Sequence, residues 1–212
     1  DRYCGDNEAK VRTYCHPKYF QGLPNRLYRN LGDGRFEDVS ESSGIAAHIG
    51  KGMSVAFADY DHDGFVDIFV TNDTEPNFLF HNLGNRRFEE TGLEAGVALT
   101  ADGKTVSAMG TDFRDYDNDG LEDLIFTALA GETFPVFRNQ GGGVFQDTTY
   151  ASQVGRLSAR LSGWSIGLFD FNNDGWKDLF TANAHVTDNI EQFSSDTYRQ
   201  PNAVWANTGA GG

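Results

Sequence analysis

The apolar residues of this chain come in short bursts, and the bursts recur. Met53, Val55 and Phe57 alternate with Ser54, Ala56 and Ala58. A period of two with one face of small side chains predicts a strand in a crowded sheet. Counterparts run over Ala108–Arg114 and Gly163–Phe169. Each is followed by a polar turn and a second run, at Ile68–Thr71, Leu124–Thr127 and Leu179–Thr181, short and rich in β-formers. A third run ends in an Asn-x-Gly turn signal, at Asn25–Gly32, Asn77–Gly84, Phe134–Gly141 and Asn202–Gly209. Asn30, Asn82, Asn139 and Asn207 form one column of this repeat. A fourth strand is expected at Phe36–Val39, Phe88–Thr91 and Phe145–Thr148. Four strands at a fixed period is the pattern of a β-propeller blade.

Between the first and second strand of each unit lies the same acidic loop. The first copy offers Asp59, Asp61, Asp63 and Asp67 at positions 1, 3, 5 and 9, with Phe65 at position 7. The second offers Asp115, Asp117, Asp119 and Asp123 around Leu121, and the third Asp170, Asn172, Asp174 and Asp178 around Trp176. Glycine follows position 5 in every copy, where the chain must bend sharply. Oxygens at this spacing suit Ca²⁺, a hard cation that takes about six to eight of them. Position 7 is expected to add its backbone carbonyl, which leaves its side chain free to be apolar. One Ca²⁺ per loop is expected, three in all, with the third loop weakest because Asn172 is uncharged. An EF-hand begins the same way but needs a bidentate Glu at position 12 and flanking helices. Val70, Phe126 and Thr181 stand there instead, so the loops join strands. The plainer alternative is three solvated turns without metal, in which the clustered carboxylates would repel one another.

The predicted organisation is an N-terminal loop over 1–24, a partial blade over 25–50, blades over 51–106 and 107–161, and a blade lacking its last strand over 162–212. Closed propellers have about four to eight blades. The chain therefore reads as all-β and as part of a larger propeller, with open strand edges at both ends where further blades or a neighbouring subunit would pair.

Composition narrows the setting. The chain has 212 residues, 39% of them apolar with 17 Phe, and 25 Gly, in keeping with a real core and many turns. A net charge of −14 argues against nucleic acid or an anionic membrane as partner. Eleven Asp residues lie in the three loops, and three Ca²⁺ ions would cancel six of those charges. No apolar run approaches a membrane span. No leader is read at the start and the chain opens on Asp1, so a processed product or a fragment is expected. Cys4 and Cys15 are the only cysteines, and a disulfide is the preferred reading because oxidising conditions and millimolar Ca²⁺ coincide outside the cytosol. The alternatives are two buried thiols, or a metal site joined by His16.

With these motifs in place the repeats resemble FG-GAP/VCBS repeats, like those of integrin α-subunit propellers. They are most similar to the cartilage-acidic-protein type that carries ASPIC/UnbV domains and is common in secreted bacterial proteins. The residues that carry the resemblance are the three Asp-rich loops, the stretch Asn30–Phe36 and the stretch Ala182–Glu191. It implies a seven-bladed Ca²⁺ propeller used outside the cytosol for adhesion or recognition. Asn172 in the third loop and Ala184, where relatives usually have Gly, depart from the pattern.

Other motifs weigh less. Gly163–Gly167 spells the G-x-S-x-G of a nucleophile elbow, but it falls on a strand aligned with Gly52–Ala56, so Ser165 reads as a repeat position. His185 is expected on a rim loop. Asp112 interrupts a small-residue face and is expected to face a central channel or to pair with Arg114 of a neighbouring blade. Asn72-Asp73-Thr74 is a glycosylation sequon. The leading functional reading is a non-enzymatic, extracellular, cell-surface or periplasmic Ca²⁺-binding module that recognises a protein or glycan. The alternatives are a polysaccharide-active lyase or hydrolase on a propeller scaffold, and a self-associating structural surface protein.

Overall fold

The computed structural model describes residues 3–6 and 10–209. The ends of the 1–24 and 162–212 segments, at 1–2 and 210–212, and residues 7–9 lie outside the described residues. In chain order the strands are β1 (Gly5–Asp6), β2 (Val11–Arg12), β3 (Leu23–Pro24), β4 (Tyr28–Gly32), β5 (Arg35–Asp38) and β6 (Ile49–Gly50). Then come β7 (Gly52–Ala58), β8 (Asp67–Asn72), β9 (Phe78–Asn82) and β10 (Phe88–Glu90), followed by β11 (Thr111–Arg114), β12 (Asp123–Phe126), β13 (Val136–Asn139) and β14 (Phe145–Asp147). The last are β15 (Gly163–Phe169), β16 (Asp178–Asn183) and β17 (Ala203–Trp205).

Every strand pair is antiparallel. β7 to β10 make one four-stranded sheet, β11 to β14 a second, and β15 to β17 a three-stranded third. β4 and β5 form a hairpin, and β3 pairs with β6. The first strands of successive sheets approach one another, β7 to β11 and β11 to β15. A Cβ on Gly110 would fall 2.6 Å from the Ser165 Cα, so glycine is what lets the second and third sheets meet there.

The alternation read from the sequence decides which face is inside. On β7, Ala56 of the small-residue face is buried, while Met53, Val55 and Phe57 are 46%, 48% and 57% exposed. The small side chains let β7 close on its neighbour, and the large ones face away from it. β8 and β12 are buried on both faces. Phe69 on β8 stacks with Phe126 on β12 at 5.9 Å, and Phe126 with Phe137 at 5.8 Å. Together with Leu79, Val97, Phe113 and Phe145 they fill the junction of the first two sheets. Each fully buried Phe contributes about 2–3 kcal/mol. Ile68, Val70 and Phe80 face the other way and pack with Ile45. Ile125, Val136, Leu168 and Leu179 form the core between the second and third sheets.

Three features differ from the sequence reading. The strand expected at Ala108–Arg114 is regular only from Thr111; before it Met109 N–H donates to Thr127 O and Thr127 N–H to Gly110 O, each at 2.8 Å. Register shifts fall at Gly52/Ser54 in the first sheet and at Gly163/Ser165 in the third. Among the described residues two short α-helices interrupt the all-β pattern, α1 (Ser40–Ser43) and α2 (Val154–Ser158), beside three single turns of 3-10 helix. Both α-helices are held by side chains that bond to backbone: Asp38 Oδ1 accepts the N–H of Ser40 in α1 at 3.0 Å, and the Ser158 hydroxyl of α2 accepts the N–H of Phe134, just before β13, at 2.8 Å. The N-terminal segment is more than a loop. Cys4 and Cys15 are disulfide-bonded across the β1–β2 hairpin, with Cα atoms 5.0 Å apart. His16 stays out of that bond and accepts the Lys18 N–H on Nδ1 at 3.1 Å.

Candidate metal centre

The three acidic loops adopt one conformation. Position 4 is left-handed in each, with φ of 60° at His62, 61° at Asn118 and 62° at Asn173. The glycine two places on has φ of 91°, 92° and 92°. The same side-chain-to-backbone hydrogen bonds build each turn. Position 1 accepts the glycine N–H: Gly64 to Asp59 Oδ2 at 3.0 Å, Gly120 to Asp115 Oδ2 at 3.1 Å, Gly175 to Asp170 Oδ2 at 2.9 Å. Position 5 accepts the N–H of position 7, at 2.8 Å for Phe65, 3.0 Å for Leu121 and 2.9 Å for Trp176. Position 3 accepts the N–H of position 5 through Asp61, Asp117 and Asn172.

These bonds use one oxygen of several carboxylates and leave the other. Asp59 Oδ1 is buried with no hydrogen-bond partner. Asp59, Asp61 and Asp63 each bring a carboxylate oxygen within 4.8 Å of the others, and so do Asp115, Asp117 and Asp123. A buried, unpartnered carboxylate oxygen beside two more carboxylates is costly unless a cation joins them. The donor set is all oxygen, apart from His81 beside the first loop, and it fits a hard divalent cation. The third loop differs. Asn172 turns its amide to donate to Asp174 Oδ2 at 2.8 Å, so part of its donor set is satisfied internally.

Position 9 has a second task that the sequence did not reveal. Asp67 accepts the N–H of Tyr60 at 3.2 Å on one oxygen and of Asn82 at 2.7 Å on the other. Asp123 does the same for Tyr116 and Asn139, and Asp178 for Phe171 and Asn207. These carboxylates tie the loop to the third strand of its sheet, and each oxygen keeps a lone pair for a metal. Burial pushes Asp67 up to about 6 against the pull of those N–H groups. It pushes Asp123 up to about 7.

The position 7 side chains lie over the Asn-x-Gly turn. A Cβ on Gly84 would sit 2.5 Å from the Phe65 ring and one on Gly209 2.4 Å from Trp176, which explains the glycine column beside its positive φ. The Asn column links loop to loop. Asn139 Nδ2 donates to Tyr60 O at 2.8 Å and Asn207 Nδ2 to Tyr116 O at 2.9 Å, each reaching the preceding loop. His62 lies 3.1 Å from Glu122, and Asn118 Nδ2 donates to Gly175 O at 2.9 Å. The three loops are thus joined in series.

The remaining candidates resolve differently. Ser165 sits inside β15 and not at a strand-to-helix turn. His185 Nδ1 accepts the Thr187 N–H at 3.0 Å. Asp112 lies 3.5 Å from Arg114 on its own strand and accepts the Leu168 N–H at 3.2 Å, which ties β11 to β15. Asn72 of the sequon is fully buried and donates to Pro76 O at 2.7 Å, so a glycan has no access to it.

Tandem four-stranded antiparallel units with Asp-rich first turns define a class of repeat, and a family model agrees. The FG-GAP-like repeat model matches residues 19–70, 59–126 and 115–181, and the chain belongs to that family. Among curated proteins it is 29% identical over 182 residues to cartilage acidic protein 1 of Xenopus tropicalis, covering 82% of this chain and 26% of that protein. It is 28% identical over 165 residues to cartilage acidic protein 1 of Homo sapiens, covering 74% and 24%. The chain thus spans about a quarter of the length of the curated relatives it matches. The resemblance read from the sequence is borne out.

Proposed function

We propose that this chain is a calcium-binding segment of a β-propeller that acts outside the cytosol as a non-enzymatic recognition module for a protein or glycan, in an adhesive setting. The observation that carries the reading is the set of three loops of one conformation, in the first two of which carboxylate oxygens converge. Asp59, Asp61, Asp63, Asp67 and the Phe65 carbonyl would hold the first ion. The second would use Asp115, Asp117, Asp119, Asp123 and the Leu121 carbonyl, and the third Asp170, Asn172, Asp174, Asp178 and the Trp176 carbonyl. Ca²⁺ would supply the positive charge that the buried carboxylates lack, and so would stabilise the loops without switching them, since no helix pair stands ready to open.

The Cys4–Cys15 disulfide supports an oxidising compartment. Among the described residues no helix is long and apolar enough to cross a membrane. The exposed Met53, Val55 and Phe57 and the outer edge of β17 are where further blades or a neighbouring subunit would pack. Calorimetric titration with Ca²⁺ tests the metal reading, and no uptake at millimolar Ca²⁺ would sink it. A glycan array and a protein-binding screen with and without Ca²⁺, with analysis of released products, test recognition against hydrolysis. Product release from a polysaccharide would favour the enzyme.

A further inference from the structure

In the three sheets that carry an acidic loop, the residue just before the Asn of the column differs from one sheet to the next. It is His81 in the first sheet, Arg138 in the second and Ala206 in the third. The register is the same each time, because Asn82, Asn139 and Asn207 all donate their N–H to the position 9 carboxylate. In the second loop, Asp117 Oδ1 and Asp119 Oδ1 are taken by backbone N–H groups. Their other oxygens face Arg138. Its Nη2 donates to Asp119 Oδ2 at 2.9 Å, and its Nε lies 2.5 Å from Asp117 Oδ2, an ion pair without hydrogen-bond alignment. These two oxygens belong to the positions that would hold the second ion.

We propose that Arg138 is a resident counter-ion of the second loop. It holds that loop assembled without metal, and it must swing aside before a divalent cation can enter, so it sets the calcium affinity there. The inference rests on the calcium reading above. A guanidinium remains charged at every relevant pH, so it cannot make room by losing a proton. Its side chain is 41% exposed, so it can move into solvent, and the effect is a lowered affinity and not a blocked site. The first loop carries no such permanent charge: His81 Nδ1 lies 3.3 Å from Asp61 Oδ2 and 3.4 Å from Asp67 Oδ1. Ala206 gives the third loop no counter-ion at all. The second and third loops are therefore weakened for opposite reasons, one by a competing internal cation and one by a missing charge at Asn172.

The test compares the wild-type chain with Arg138→Gln and with the reciprocal Ala206→Arg, by calorimetric Ca²⁺ titration and by melting in EDTA. Arg138→Gln should tighten one Ca²⁺ site about tenfold and lower the melting temperature in EDTA. Adding Asp117→Asn should abolish the gain, which locates it in the second loop. Ala206→Arg should weaken one site about tenfold, and Tb³⁺ emission excited through Trp176 reports whether that site is the third. Unchanged or weaker binding in Arg138→Gln overturns the proposal. If that variant fails to fold, an unaltered third site in Ala206→Arg overturns it instead. If no version of the chain takes up Ca²⁺, the calcium reading fails, and melting in EDTA alone decides the role of Arg138. A drop with Arg138→Gln then supports it as the loop's counter-ion, and no drop overturns that too.

Discussion

Two junctions of this molecule are built from the same repeat and finish differently. Where the first sheet meets the second, Phe145 of β14 packs against Tyr60 and Phe113 and closes the gap. Where the second meets the third, the corresponding place is a cavity of about 410 Å³. Its walls are the repeat counterparts of the closed junction, with Tyr116 for Tyr60, Leu168 for Phe113 and Val154 near the place of Val97. What is missing is the aromatic. Phe145 comes from the fourth strand of the second sheet, and the third sheet has no fourth strand among the described residues. The difference teaches that each blade-like unit is completed by its neighbour: the socket belongs to one sheet and the plug to the last strand of the next. The largest expected effect is therefore at the plug. Phe145→Ala should cost about 3–5 kcal/mol by urea unfolding, whereas Val154→Ala, on the wall of the open junction, should cost about 1 kcal/mol. Equal costs would break the comparison.

The first two acidic loops also carry buried carboxylates, and this gives a second test. Asp67 and Asp123 are held up at about 6 and about 7, above an ordinary unfolded value near 3.9. A carboxylate whose folded value is raised stabilises the fold while protonated. That contribution is present below about pH 4 and is lost as pH rises through 6–7. In EDTA the protein should lose stability between pH 5 and pH 8, by an amount on the order of a few kcal/mol. Ca²⁺ should remove the loss by neutralising both groups. Melting curves across that range with and without Ca²⁺ check it, and an apo protein that gains stability toward pH 8 would contradict it.

A third test fills the socket. A peptide with the sequence of residues 143–150 repeats the fourth strand that the second sheet uses, and it should pair along β17. At a free concentration ten times its Kd it should add about 1.4 kcal/mol of stability, read as a higher melting temperature. The same peptide with Ala in place of its Phe should not. An equal effect of both peptides would show that the strand edge, and not the socket, does the binding.

Much of this architecture was legible in the sequence because it is periodic. Alternation placed β7 and the repeat placed β15, short runs of β-formers placed β8 and β16, and the Asp spacing placed three loops that share one backbone conformation. The Asn column was legible as a turn but not as the tie between loops, because that role depends on the Tyr60 and Tyr116 carbonyls of a different sheet. The double hydrogen bonding of Asp67, Asp123 and Asp178 was hidden for the same reason. Arg138 was missed although a signal existed: the position before the Asn column reads Arg29, His81, Arg138, Ala206, and such variation inside a repeat marks a place where the copies differ in task. Asn72 shows the limit of a motif. Its sequon is intact, but the strand that carries it is buried on both faces.

The smallest expected effect lies farthest from both junctions. The Cys4–Cys15 bond closes a short loop, and a loop of that size is worth about 3 kcal/mol when it belongs to the cooperative unit. Among the described residues, the hairpin it closes contributes none of those that make up the two sheet junctions. Among the described residues a side-chain bond joins it to the connection between β16 and β17, from Asn189 Nδ2 to Arg12 O at 3.0 Å. Elements with few buried contacts open locally at a fraction of the global free energy. Reduction should therefore speed amide exchange in residues 10–15 and around Asn189, while global unfolding changes by less than about 1 kcal/mol. Hydrogen exchange with and without reductant, at fixed Ca²⁺, separates the outcomes. A loss of the full 3 kcal/mol on reduction would mean that the N-terminal hairpin folds as one unit with the sheets. The stability of the molecule would then depend on its covalent staple as well as on the plugged junction.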